Sequence, residues 1–136
     1  MFSRFTTTAR NAVLHAGLRA KAEQSDEIHA GHLLLGVVDA GGIGAAALDR
    51  DADAVRRALD TAPVRWSAWR RWRDRRFEPP LSAEAKRALR AAERAAAGPI
   101  DSGHLALGAL EVVAMPADGV ADRVAERRAA QAEPTA

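Results

Sequence analysis

An all-α fold is predicted, made of two copies of one helical unit, and three observations point to it. The phrase Gly-His-Leu-x-Leu-Gly occurs twice, at Gly31-His32-Leu33-Leu34-Leu35-Gly36 and at Gly103-His104-Leu105-Ala106-Leu107-Gly108. Self-similarity of this kind marks a duplicated supersecondary unit. Each copy also has a matching lead-in, Phe5-Thr6-Thr7-Thr8-Ala9-Arg10 and Leu81-Ser82-Ala83-Glu84-Ala85-Lys86: an apolar residue, a hydroxyl, two spacers, alanine and a cation. Finally, the chain is rich in alanine and arginine, which favour helix, and has little of the β-branched alternation of strands.

The first helix is expected over about 7–23. Thr6 serves as its N-cap, because a hydroxyl oxygen accepts a bond from a free amide of the first turn. Val13, Ala16 and Ala20 fall on one face at helical spacing, with Leu14 and Leu18 beside them. Gln24-Ser25-Asp26-Glu27 reads as a polar turn. A second helix, from Ala30 or Gly31 to about Asp39, is apolar on nearly all sides and is therefore a buried central helix. Gly41-Gly42 ends it, and a short third helix spans about 43–48. Asp51 or Asp53 caps a fourth, with Val55 and Leu59 inward, and Pro63 closes the unit.

The second unit repeats this plan. Ser82 caps a helix to about Ala97 with Ala85, Leu89, Ala92 and Ala96 on one face, and Gly98-Pro99 terminates it. A second central helix covers about 103–113. Met115-Pro116-Ala117-Asp118-Gly119 is a turn, and a last helix covers about 120–130 with Val120 and Val124 inward. The short third helix has no evident counterpart here, and the tail 131–136 reads as frayed. From Phe5 to His32 is 27 positions and from Leu81 to His104 is 23. The difference is about one helical turn, which preserves facing.

Length and composition bound the function. The 136 residues make one domain. It divides into repeat one at about 1–63, a linker at about 64–79 and repeat two at about 80–131. A chain of this size buries roughly two-thirds of its unfolded surface. It has no cysteine, so disulfides, thiolate metal sites and a cysteine nucleophile are excluded, and a reducing cytoplasm fits. No run approaches the ~20 apolar residues of a membrane span. Arg4, Arg10 and the threonines interrupt any amino-terminal signal segment. The net charge is only +2, but it is uneven. Within 64–78, Arg65, Arg70, Arg71, Arg73, Arg75 and Arg76 face only Asp74 and Glu78, and all three tryptophans (Trp66, Trp69, Trp72) lie there three apart.

Taken together, Phe2, Phe5-Thr6 opening a helix, Gly31-His32-Leu33-Leu34-Leu35-Gly36, Ala46 to Leu48 and Val55-Arg56-Arg57 resemble the amino-terminal domain of Clp-type AAA+ unfoldases, most of all the ClpC kind. Leu81-Ser82 through Gly108 resembles the second Clp N repeat. The likeness covers nearly the whole chain except 64–78. It implies two repeats of about four helices each, related by a pseudo-twofold axis, with the second shortened. It also implies a non-enzymatic module that recruits substrates and adaptors to an ATPase ring in regulated proteolysis. Such a module has Clp ATPase or protease components, adaptors or client peptides as partners, and needs no cofactor.

The chain departs from the family pattern in three ways. The phosphate-cradling motif Gly-x-x-x-x-Gly-Lys-Ser/Thr does not occur, so no ATPase accompanies the domain. The position before each motif histidine is often glutamate in the ClpC type, where the pair helps hold phosphorylated arginine. Here it is Gly31 and Gly103, which removes the charge-assisted partner of a guanidinium. Third, the linker is basic and aromatic.

The likeness also implies a partner groove at Phe2, Arg10, Leu81 and Lys86, where peptides, adaptors and some cyclic peptide antibiotics dock. Capture of such antibiotics is the alternative function. The competing account makes Phe2 and Leu81 core edges and the cations solvated. Trp66, Trp69 and Trp72 with Arg70 and Arg73 form a secondary surface. They either pack over the seam with arginines stacked outside or bind nucleic acid by stacking and phosphate contact; the packing account ranks first. His32 and His104 read as structural residues at the start of buried helices. His29-x-x-His32 lacks the companion ligands of a metal site, and no catalytic constellation is evident.

Overall fold

The computed structural model describes residues 3–59 and 78–135. Seven helices occur among them: α1 (Thr7–Ala22), α2 (Ala30–Ala40), α3 (Gly42–Leu48), α4 (Ala52–Leu59), α5 (Ala83–Ala95), α6 (Ser102–Val112) and α7 (Val120–Ala130). The only extended pairing there is three isolated bridges. The fold is all-α, with four helices among the described residues of the first repeat and three among those of the second, where none corresponds to α3. The linker expectations for Trp66, Trp69, Trp72, Arg70 and Arg73 lie outside the described residues, as does Phe2.

Local chemistry starts the equivalent helices in the same way. Thr6 Oγ1 accepts the Ala9 amide at 3.1 Å, and Ser82 Oγ accepts the Ala85 amide at 3.1 Å. Asp51 caps α4, accepting the Ala54 amide at 2.8 Å. α2 and α6 form the centre, with Leu33, Leu34, Leu35, Leu105 and Ala106 each at most 1% exposed. α1 packs on α2, α5 packs on α6, and the central pair pack on each other.

The last glycine of each motif permits these crossings. A Cβ on Gly36 would lie 2.1 Å from the Ala12 carbonyl oxygen, and one on Gly108 would lie 2.4 Å from that of Ala88. Backbone therefore rests on backbone at both crossings. That closeness sets the buried face of α1, which is Ala9, Ala12, Ala16 and Ala20. Leu14 and Leu18, read from the sequence as flanking the core face, point outward and are each 62% exposed. Alanine fits an interface this tight and leucine does not. α5 follows the expectation: Ala85, Leu89, Ala92 and Ala96 are all buried.

The repeats are joined by reciprocal strand-like pairs. The lead-in of α1 pairs in parallel with the lead-in of α6 (Phe5 with Ile100), and that of α5 pairs with that of α2 (Leu81 with Ile28). Thr6 N donates to Ile100 O at 2.9 Å and Ile100 N to Arg4 O at 2.8 Å. Ser82 N donates to Ile28 O at 3.0 Å and Ile28 N to Pro80 O at 2.8 Å. Each repeat thus satisfies the other's buried backbone, which is the pairing a pseudo-twofold axis requires. α3 breaks the symmetry by crossing onto α6 and α7.

The tail corrects an expectation. Instead of fraying, it runs back across the amino ends of α1, α3 and α6. Thr6 pairs antiparallel with Thr135, and Thr7 N donates to Pro134 O at 3.0 Å. The Glu133 carboxylate gathers the Thr6 hydroxyl and the Ile43 and Ser102 amides, each at 2.8 Å, and a short bond from the Ser102 hydroxyl. A glutamate three residues beyond the last helix carries no local signal of this role, because its partners lie 31 to 127 positions away.

Candidate functional site: two histidine caps and an exposed helix face

The motif histidines sit at equivalent positions and perform the same local task. At the start of α2, His29 N donates to His32 Nδ1 at 2.9 Å. At the start of α6, Asp101 N donates to His104 Nδ1 at 3.0 Å. Each ring satisfies the amide of its own N-cap residue from the third helical position, the role a glutamate or glutamine plays in an ordinary capping box. An acceptor at Nδ1 places the proton on Nε2. His32 Nε2 accordingly donates to Glu23 at 2.8 Å.

Beyond the rings the repeats diverge. In repeat one the carboxylate facing His32 is Glu23, just past α1, and Arg56 of α4 closes on it. Burial, followed by the neighbouring His29, pushes His32 down to about 4, so it is neutral near pH 7. Burial, and then Arg19, also lowers Arg56 from its ordinary value. His29, the cap residue, directs Nδ1 to Glu84 Oε1 of α5 at 3.1 Å.

In repeat two the cap itself is the carboxylate. Asp101 Oδ1 accepts the His104 amide at 3.0 Å, and Arg128 of α7 grips Asp101 through two bonds of 2.6 and 2.8 Å. Burial opposes ionisation of Asp101, but Arg128, the His104 ring and the His104 amide outweigh it. They hold the carboxyl well below the usual carboxylate range. The bond to Asp101 in turn raises Arg128. The histidines are thus clamped within arginine–carboxylate pairs, and among the described residues no group of three or more His, Asp or Glu could hold a metal ion. The arrangement is suited to rigidity.

The expected partner-groove residues fall in unequal settings. Arg10 and Lys86 are equivalent: each is four residues past its cap, and its amide donates to the cap carbonyl at 2.9 and 3.0 Å. Lys86 is exposed and Arg10 half-buried. Leu81 is half-buried in the reciprocal pair with Ile28. Gly31 is half-buried, and a Cβ there would come to 3.0 Å from Leu59 Cδ1, the end of a flexible side chain. Gly103 is buried; a Cβ there would meet Val124 Cγ1 at 2.7 Å and Ile43 Cγ2 at 2.9 Å. The two glycines, equivalent in the motif, are not equivalent in space: a larger side chain has room at 31 and none at 103.

Sequence reasoning missed the outer face of α1. Leu14 and Leu18, one turn apart, extend from Arg10 along the solvent side. α1 carries no acidic residue in its first turn and ends with Arg19 and Lys21. Arg19 is engaged with Asp39 through bonds of 2.7 and 2.8 Å, and Lys21 with Glu78 at 3.0 Å. The signal that could have revealed this face is the alanine spacing 9, 12, 16, 20, which defines a small-residue interface and leaves the leucines opposite.

Comparison with known proteins agrees with this architecture. Residues 4–111 match the model of the Clp repeat (R) N-terminal domain. The N-terminal domain of the caseinolytic protease associated chaperone ClpD from Arabidopsis thaliana superposes with a TM-score of 0.61 at 26% identity, covering 97% of this chain and 89% of that one. The Hsp104 N-terminal domain from Candida albicans superposes at 0.70 with 17% identity, covering 96% and 95%. No curated protein matches the sequence.

Proposed function

The chain belongs to the Clp repeat N-terminal domain family, and we propose that it is a non-enzymatic, cytoplasmic peptide-binding module of a Clp unfoldase–protease system. It engages adaptors, client segments or a Clp ATPase and brings no ATPase of its own within this sequence. The observation that carries the reading is the exposed pair Leu14 and Leu18, continuous with Arg10 on a helix rich in cations. Two adjacent leucines at 62% exposure form an apolar stripe that an apolar segment would cover. Phosphoarginine recognition is not part of the reading. Neither Gly31 nor Gly103 offers a carboxylate, and position 103 has no room for one.

Titration calorimetry with an unfolded client protein tests the proposal. Micromolar binding is expected for the wild type, with at least a tenfold loss in Leu14→Asp/Leu18→Asp. Equal affinity in both would remove the α1 face from the reading, and no heat in either would remove the binding function. The same titration with a cyclic peptide that targets Clp unfoldases tests the alternative of antibiotic capture.

A further inference from the structure

We infer that the cleft between the amino ends of α1, α3 and α6 is a receptor for an extended peptide bearing a glutamate. It is filled here by the chain's own Glu133 and open to exchange with a matching segment of a partner protein. The receptor lies at the amino end of α1 and not on the outer face that carries Leu14 and Leu18, and it stands whether or not that face binds anything.

The cleft is built around a carboxylate. Thr6 and Ser102 are 1% and 0% exposed, and their hydroxyls both donate to Glu133. The amides of Ile43 and Ser102 complete the set. The hydroxyls are themselves held in place: Thr6 Oγ1 accepts the Ala9 amide at 3.1 Å and Ser102 Oγ accepts the Gly44 amide at 2.9 Å. Gly42 leaves space for the ligand. Its φ is +84°, and a Cβ there would lie 2.5 Å from Glu133 Oε2 and 2.7 Å from Thr8 Cγ2. The donor set is therefore oriented by the fold, and four donors on one carboxylate make charge-assisted bonds of the stronger kind.

The segment that fills the cleft is held by little else. Gln131, Ala132, Pro134 and Thr135 are all exposed and Glu133 only half-buried, so the tail seals no core. Among the described residues, Gln131 follows on from α7 by donating its amide to the Arg127 carbonyl, and the further ties across the cleft are the Thr7 amide to the Pro134 carbonyl and the bridge between Thr6 and Thr135. Both use backbone alone, which is how an added strand is recognised regardless of its side chains. Open cavities of about 410 and 300 Å3 flank the tail, the first reaching Gly98, Pro99 and His104 and the second Thr8, Arg127 and Ala130. A longer peptide has room on either side. Specificity then comes from one glutamate and an extended backbone, with proline at the next position as in the resident segment.

The test uses the full chain and a fluorescent hexapeptide, Gln-Ala-Glu-Pro-Thr-Ala, the sequence of residues 131–136. Anisotropy titration should show binding to the Glu133→Ala chain at least tenfold tighter than to wild type, whose own tail competes at a high effective concentration. Replacing the peptide's glutamate by alanine should abolish the signal, as should adding Ser102→Ala to the chain. Failure of a folded Glu133→Ala chain to bind, or binding indifferent to the peptide's glutamate, overturns the receptor. Amide exchange on the wild type provides an independent arm that needs no variant. The Thr7 amide should exchange at least a hundredfold faster than that of Leu34 in the central helix, reporting local release of the tail. Exchange of both at one rate would mean that the tail leaves only on global unfolding, and the exchange mechanism would fall.

Discussion

The two repeats carry one phrase and one capping geometry, yet they stabilise it by different means. In both, the histidine at the third helical position accepts the amide of the cap residue, and in both an arginine from the repeat's last helix meets the carboxylate beside that histidine. Repeat one takes its carboxylate from Glu23, the residue after α1, and uses His29 as the cap. Repeat two makes the cap itself the carboxylate, Asp101. The first arrangement ties α1, α2 and α4 together and reaches Glu84 in the other repeat, whereas the second ties only α6 to α7. A duplicated motif thus preserves the backbone requirement, which is local, while the charges that support it drift, because any carboxylate within reach serves.

The largest expected effect tests what the repeats share. Gly36→Ala should destabilise the protein by about 3 kcal/mol or more, since the new methyl meets backbone that cannot turn aside. Gly108→Ala, with 2.4 Å in place of 2.1 Å, should cost somewhat less in urea denaturation. Equal and negligible losses would show that the helices can separate at the crossings and that the motif glycine has another purpose.

Acid should then separate the repeats. His32 has its folded pKa lowered to about 4, so the unfolded chain binds the proton first. The stability it contributes is fully present above about 6.5 and is lost as pH falls from there to about 4, up to about 3 kcal/mol in all. Asp101 is depressed as well, but for a carboxylate the contribution is present above its ordinary value of 3.8 and lost only below it. Repeat one should therefore loosen first, visible as earlier exchange of α2 amides than of α6 amides near pH 5. His32→Gln should flatten stability between 6.5 and 4, and an unchanged slope would sink the assignment.

The caps themselves should differ. Asp101→Ala removes the acceptor of the His104 amide and the partner of Arg128, and should cost about 2 kcal/mol in thermal denaturation. His29→Ala removes a half-exposed contact to Glu84 and a tilted ring contact with His32, and should cost less than about 1 kcal/mol. A reversed order would mean that the tie between repeats outweighs the cap. Smallest of all, Leu14→Ser should leave stability within about 0.5 kcal/mol, because most of the side chain already lies in solvent. A loss above about 1 kcal/mol would place that face in the core.

What was legible in the sequence follows from the range of each interaction. Thr6 and Ser82, and Asp51 as one of two candidates, were readable as caps because the amides they accept from lie three residues on, and the last helix begins at Val120 and ends near Ala130 as read. The face of α1 was misjudged because leucine outranks alanine in apolarity. Burial at a crossing where an added Cβ on Gly36 would lie 2.1 Å from the Ala12 carbonyl oxygen is decided by size, and that distance belongs to two helices at once. Of the candidate site residues, Arg10 and Lys86 could be paired by their spacing from the caps. The contrast between Gly31 and Gly103 could not be read, since Val124 and Ile43 approach only position 103.

By itself, then, the sequence determined a duplicated all-α unit and the caps that start its helices. Each of these rests on neighbours within a few residues or on a repeat that can be seen directly. Tertiary structure alone decided the reciprocal pairs Phe5–Ile100 and Ile28–Leu81, the outward turn of Leu14 and Leu18, and the docking of Glu133 across α1, α3 and α6. In those cases the partners are far apart in the chain. Which buried donor meets which acceptor is settled only when the two repeats close on each other and pair their buried backbone.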